Sequence, residues 1–142
     1  MTTNSLEKLK LSNSLLISNV AVYNNLYSLT NITSNATISL VNNQINIFAC
    51  NTSTTAITIS LPAISSLIGI DGTIDTQKKY IVNICDSTGG ALLHNITINP
   101  GGFDTINTSS GSVVLNTAYQ CCELFIISST NWYMKPNNIV VG

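Results

Sequence analysis

Short segments in which β-branched apolar residues alternate with Ser, Thr and Asn recur along this 142-residue chain. Residues 45–50 read INIFAC and residues 56–61 read AITISL. A period of two places successive side chains on opposite faces of a strand, so such segments suit sheets with one apolar face. The pattern predicts an all-β fold, with no helix of ordinary length in the C-terminal two-thirds of the chain.

Charged residues make up only 8% of the chain, whereas they make up about 25% of an ordinary soluble protein. The polarity comes instead from 19 Asn, 17 Ser and 17 Thr. A net charge of −1 without a basic stripe lacks the electrostatic footprint of nucleic-acid or anionic-lipid binding. No apolar run is long enough for a membrane-spanning helix or a signal peptide, so we expect neither membrane insertion nor a signal peptide.

Residues 11–34 form four hexads, LSNSLL, ISNVAV, YNNLYS and LTNITS, each with a large apolar residue first and Asn third. This period favours stacked short strands with Asn at the turns. The same stretch also fits a heptad seam with a polar Asn13, which would form a coiled coil, and an irregular arm is a third alternative. Either ordered form leaves apolar positions that associate with other copies. The predicted interface residues are Leu11, Ile17, Val20, Tyr23, Leu26 and Leu29.

The change in pattern divides the chain into an N-terminal stalk or trimerisation segment, residues 1–36, and a head domain, residues 37–142. The candidate strands of the head are 45–50, 56–61, 79–85, 95–99, 112–116, 121–128, 132–135 and 139–141. Pro62 ends the second candidate strand, and residues 63–70 are predicted to form a helical turn. Strands at this spacing indicate an antiparallel, jelly-roll-like β-sandwich.

Several short motifs follow one another in a specific order in the head. They read ITISLP at 57–62, KYIVNICD at 79–86, NITINP at 95–100, DTI at 104–106 and SSTNWY at 128–133. Their order, over residues 44–135, resembles the β-rich tip module of bacteriophage tail-fibre proteins and related fibre proteins of large DNA viruses and virophages. The chain departs from that pattern at Asn107 and Thr108, where Asp-Gly is usual, at Ser129, where Gly is usual, and at Cys121-Cys122.

This resemblance implies a homotrimer at the distal end of a viral fibre, with a repetitive β or coiled-coil stalk before the head. The implied partners are a host-surface glycan or protein and other virion proteins. The implied location is the virion surface, after synthesis in the host cytoplasm. Short neutral side chains suit glycan hydroxyls, and multiple copies add avidity. A purely structural virion protein without a receptor and a glycan-active enzyme are the alternatives from other classes.

Four residues are candidates for ligand binding. Trp132 and Tyr133 are neighbours in a predicted strand, so one faces the core and the other faces outward. An exposed ring beside Asn131 would stack on a sugar, whereas a buried Trp132 would pack in the core. His94, the only histidine, is either a solvated edge residue or a metal ligand on a trimer axis. Fibre metal sites of similar proteins use His-x-His, which is absent here, so we predict no metal and no cofactor.

Asp71, Asp75 and Asp86 are predicted to be turn residues, because Asp in a turn accepts hydrogen bonds from nearby backbone N–H groups. A cation loop at Asp71 and Asp75 is the alternative, although two carboxylates rarely suffice for one. No two carboxylates have a spacing that indicates glycoside hydrolysis. We therefore predict no catalytic residues and a chain that is not an enzyme.

The four cysteines, Cys50, Cys85, Cys121 and Cys122, form no metal-binding motif. Free thiols within strands are the first interpretation, and a Cys50–Cys85 disulfide is the alternative. Adjacent residues of a strand point to opposite faces, so at most one of Cys121 and Cys122 lies in the core.

Overall fold

The computed structural model describes residues 27–67 and 80–136. Leu29 and the four candidate binding residues lie within these ranges. Outside them lie Leu11, Ile17, Val20, Tyr23, Leu26, Asp71, Asp75 and the candidate strand 139–141. The predicted stalk and its interface therefore stay predictions for residues 1–26.

The described chain consists of ten strands and two single 3₁₀ turns. The strands are β1 (Tyr27–Ile32), β2 (Ala36–Thr37), β3 (Gln44–Cys50), β4 (Ile57–Ser60), β5 (Tyr80–Asp86), β6 (Ile96–Asn99), β7 (Thr105–Ile106), β8 (Val113–Leu115), β9 (Cys121–Ser128) and β10 (Asn131–Pro136). The 3₁₀ turns are Ile64–Ser66 and Gly90–Leu92. The all-β prediction is confirmed. The helical turn predicted within 63–70 forms over Ile64–Ser66.

The strands form two sheets, ordered β1-β3-β5-β9-β10-β7 and β2-β4-β6-β8. From β1 to β6 the chain alternates between the sheets, and each strand pairs in parallel with the strand two places later. Antiparallel pairing begins only where β8 lies beside β6 and β9 beside β5. The predicted antiparallel sandwich is therefore wrong for the first six strands.

The physical reason for this difference is that apolar–polar alternation is the same in parallel and antiparallel strands. A parallel pair needs a crossover connection, which is usually a helix. Here a strand of the opposite sheet serves as the crossover, so the chain winds around its own core without any helix of ordinary length in the described residues.

One apolar core lies between the two sheets. Phe48, Val82 and Trp132 reach it from the six-stranded sheet, and Ile59 and Ile98 reach it from the four-stranded sheet. Each fully buried isoleucine contributes about 1.5–3 kcal/mol to stability. The buried isoleucines of the strands thus stabilise the contact between the sheets.

The C-terminal end of the hexad region is part of the larger sheet. Tyr27 lies beside Ile45 and Ile32 beside Cys50, an offset of 18 residues (45 − 27). Eighteen residues correspond to three hexads, although β3 itself lies beyond the hexads of residues 11–34. The predicted boundary between residues 36 and 37 falls within β2, and β1 and β2 pair with β3 and β4, which lie after that boundary.

The cysteines separate into one disulfide and two thiols. Cys85 on β5 and Cys121 on β9 lie opposite each other and are bonded, while Cys50 and Cys122 are buried free thiols. The alternative Cys50–Cys85 bond does not form. Burial, and then the charge of Asp86, raise the pKa of Cys50 to about 12. Burial likewise raises the pKa of Cys122 to about 12.

Candidate functional site

Three loops come together at one edge of the two sheets, and we call them the loop edge. They are residues 51–56 after β3, 87–95 after β5 and 116–120 before β9. Ser, Thr, Asn, Gly and one Tyr make up most of their residues. Binding loops of antibodies have a similar composition, because these residues combine adaptable hydrogen bonds with rigid aromatic contact area.

Asp86, the last residue of β5, connects the three loops through its buried carboxylate. Its Oδ1 accepts the Thr52 hydroxyl at 2.6 Å and the Thr88 backbone N–H at 3.2 Å. Its Oδ2 accepts the backbone N–H groups of Ala91 at 3.1 Å and of Tyr119 at 2.9 Å. One side chain therefore fixes the relative position of all three loops.

The hydrogen bonds determine the charge state of Asp86. Burial alone would raise its pKa, because a desolvated carboxylate favours the neutral form. The bonds from Thr52, Tyr119, Ala91 and Thr88 outweigh burial and hold the pKa of Asp86 below its ordinary value. The sequence prediction that Asp86 is a turn residue agrees with these contacts, which extend well beyond its own turn.

Two glycines allow the loops to pack closely. A side chain at Gly90 would overlap the backbone of Thr52, and one at Gly89, where φ is +79°, would overlap the Tyr119 ring. His94 Nδ1 lies 2.8 Å from the Thr52 carbonyl oxygen, to which it donates a hydrogen bond. His94 is thus half-buried and braces the loop edge, and its predicted role in ligand binding stays a prediction.

Three large side chains project from this braced edge into solvent. Leu92, Leu93 and Tyr119 are 69%, 82% and 69% exposed. No sequence pattern singles them out, because exposed apolar loop residues carry no periodic signal. The only local indication was Gly89-Gly90, which marks a close turn immediately before the two leucines.

The other predicted site residues lie on β10, away from the loop edge. Trp132 is 0% exposed and packs in the core, so it does not provide a sugar-stacking surface. Asn131 Oδ1 accepts the Thr105 hydroxyl at 2.8 Å and the Thr108 backbone N–H at 3.0 Å. Asn131 lies at the end of the sheet opposite His94, so the structure does not bring these candidates together.

Tyr133 belongs to a second exposed surface, the side of the six-stranded sheet turned away from the core, which we call the outer face. Tyr133 is 42% exposed and its ring centroid lies 5.0 Å from that of Phe125. As predicted, Trp132 and Tyr133 point to opposite sides. In register across the sheet, one row of the outer face contains Tyr27, Ile45, Ile81, Phe125 and Tyr133. The adjacent row contains Leu29, Ile47, Asn83, Glu123 and Lys135.

Within residues 27–67 and 80–136, no cluster of three His, Cys, Asp or Glu side chains could hold a metal ion. In the same residues, no helix has the length and apolarity to span a membrane. No protein-family model matches the chain, and no curated protein matches it in sequence.

Proposed function

We propose that this chain is a non-enzymatic, homotrimeric head of a viral fibre that attaches the particle to a glycan or protein of the host surface through the loop edge. The observation that carries the proposal is the Asp86 network, which holds Leu92, Leu93 and Tyr119 exposed on a rigid base. The motif order described above provides the viral context.

Rigid loops favour binding because little conformational freedom is lost when the ligand arrives. Four hydrogen bonds to one carboxylate and the close packing at Gly89 and Gly90 fix the backbone of the loop edge before binding. The surrounding Ser, Thr and Asn side chains can bond to hydroxyl or amide groups at small entropic cost. Weak contacts of this kind become effective when several copies bind together.

The buried carboxylates in the described residues accept hydrogen bonds from the backbone, which supports a non-enzymatic function. Asp104 Oδ2 accepts the Ile64 backbone N–H at 2.6 Å and so fixes the 3₁₀ turn after β4. Asp86 fixes the loop edge in the same way. Both buried carboxylates therefore position backbone.

The proposal is tested with the full-length chain on a glycan array and on a panel of cell surfaces. We expect Leu92→Asp and Leu93→Asp to weaken binding by at least about tenfold, because each places a charge in the contact surface. Phe103→Asp is the matched control, since Phe103 is fully exposed in the loop after β6, at the opposite edge.

Equal weakening by all three substitutions would show that the loop edge has no special role. Absence of binding to every glycan and cell surface would contradict attachment and favour the purely structural virion protein.

A further inference from the structure

The outer face is unusually apolar for a surface that faces solvent. Its first row consists of Tyr27, Ile45, Ile81, Phe125 and Tyr133, all apolar or aromatic across five neighbouring strands. Leu29 and Ile127 add further apolar area and are 65% and 51% exposed. Contiguous apolar patches of this kind mark interaction surfaces.

The charges on this face are complementary to each other. Glu123 on β9 and Lys135 on β10 lie directly opposite in register. Among the described residues, neither side chain forms an ion pair or a side-chain hydrogen bond. The face therefore carries one acid and one base, and in a trimer one neighbouring copy can offer a base to Glu123 and the other an acid to Lys135.

The size and position of the face also fit association between copies. Five strands spaced about 4.8 Å apart, each about 20 Å long, give a footprint of about 500 Å². A standard interface buries about 800 Å² per partner, which is the same order. The face continues onto β1, which includes Leu29, a residue predicted from the hexads to lie at the interface between copies.

We propose that the outer face packs against the outer faces of other copies of this chain, with the apolar row buried and Glu123 facing Lys135 of the partner subunit. This deepens the proposed function, because it names the surface through which the predicted homotrimer forms. The acid and the base are at different positions, so they can pair around a rotation axis without like charges meeting.

The first test is the molar mass of the full-length chain in solution across a range of concentrations. We expect a concentration-dependent oligomer, and Leu29→Asp and Ile47→Asp should weaken its association by more than about tenfold. Leu93→Asp, an exposed leucine on the loop edge, is the matched control and should leave the mass unchanged. The fluorescence of buried Trp132 reports whether each variant is folded.

The second test is charge reversal followed by mixing. Glu123→Lys gives a face with two positive charges and Lys135→Glu a face with two negative charges, so each variant alone should associate at least about tenfold more weakly than the unmodified chain. An equimolar mixture should recover the oligomer, with greater recovery at low salt. If Glu123 instead pairs with Lys135 of its own chain, mixing the two variants would not restore the oligomer.

A monomer at every concentration would overturn the inference. An oligomer unaffected by Leu29→Asp and Ile47→Asp would overturn it as well. Attachment is judged separately by the loop-edge variants, so a monomer that still binds cell surfaces would contradict this inference and leave attachment standing.

Discussion

At the scale of single residues, Asn side chains replace backbone partners where the strands end. Asn46 is buried, and its Oδ1 accepts the Val41 backbone N–H at 2.7 Å while its Nδ2 donates to the Val41 carbonyl at 3.0 Å. The same amide also donates to the carbonyl of Gln44. An uncharged side chain with both a donor and an acceptor can satisfy buried backbone groups without the desolvation penalty of a charge. This accounts for part of the Asn content.

Among residues 27–67 and 80–136, Asp86 is the one residue that holds several loops with a buried charge instead of an amide. We expect Asp86→Asn to lower the free energy of unfolding at neutral pH by about 3 kcal/mol, because an amide N–H₂ would face backbone N–H donors. Urea unfolding at one fixed protein concentration measures this. Thr54→Ser, in the exposed part of the same edge, should stay within about 0.5 kcal/mol of the unmodified chain.

The same residue predicts a dependence on pH. The pKa of Asp86 is lower in the folded than in the unfolded chain, where it is about 3.9. Its stabilisation is therefore complete above that unfolded value and is lost as the pH falls through the folded pKa. The difference in stability between the unmodified chain and Asp86→Asn should shrink below about pH 4. A constant difference from pH 7 to pH 2 would contradict the role assigned to the carboxylate.

At the scale of elements, the turn after β7 shows how side chains extend a short strand. Asn107 Oδ1 accepts the Met134 backbone N–H at 2.9 Å, and Asn107 Nδ2 donates to the Met134 carbonyl at 3.3 Å. This amide continues the pairing of β7 with β10 beyond Ile106. The chain then turns through left-handed conformations, with φ of +49° at Asn107 and +67° at Thr108.

Thr108 is β-branched, and the left-handed region costs such a residue more than about 1 kcal/mol. We expect Thr108→Gly to raise the free energy of unfolding by about 0.5–1 kcal/mol, because relief of the backbone strain outweighs the greater entropy of glycine in the unfolded chain. Chemical denaturation at fixed protein concentration measures the change. Thr117→Gly, at an exposed turn position without positive φ, should instead be neutral or destabilising. Destabilisation by Thr108→Gly would mean that the threonine side chain contributes more than the strain costs.

At the scale of the whole molecule, one disulfide joins the parallel part of the six-stranded sheet to its antiparallel part. Cys85 lies on β5, the last parallel strand before the antiparallel pairing within the six-stranded sheet, and Cys121 begins its antiparallel neighbour β9. The bond closes a loop of 36 residues. Closing a loop of that length removes unfolded-state entropy equivalent to about 4 kcal/mol in the chain-entropy treatment.

Reduction should therefore lower the midpoint of urea unfolding by the equivalent of about 2–4 kcal/mol. The double substitution Cys85→Ala and Cys121→Ala should reproduce the loss and abolish any further effect of reductant. Thiol labelling checks the assignment, because Cys50 and Cys122 are buried and their raised pKa values keep them protonated at pH 8. An unfolding midpoint that does not respond to reductant would contradict the stabilising role of the bond.

The chain's local pattern was sufficient for most of the elements, although the two-residue strands β2 and β7 were not among the candidate strands. Strands such as β9 (Cys121–Ser128), the 3₁₀ turn after Pro62, and the opposite orientations of Trp132 and Tyr133 all follow from alternation and turn residues, which act over a few neighbours. The candidate site could be predicted less well from the sequence. Trp132 is buried in the core and Asn131 accepts hydrogen bonds from Thr105 and Thr108, while the exposed loop-edge residues Leu92, Leu93 and Tyr119 had no periodic signal.

Sequence alone determined that this protein would build sheets from nearly uncharged strands, because period and composition fix which side chains share a face. Tertiary structure alone decided that the first six strands pair in parallel, that Cys85 bonds to Cys121, and that Asp86 connects three loops. Each of these depends on which distant segments become neighbours. That choice depends on the packing of the whole core, whereas the pattern within one strand is the same for every arrangement.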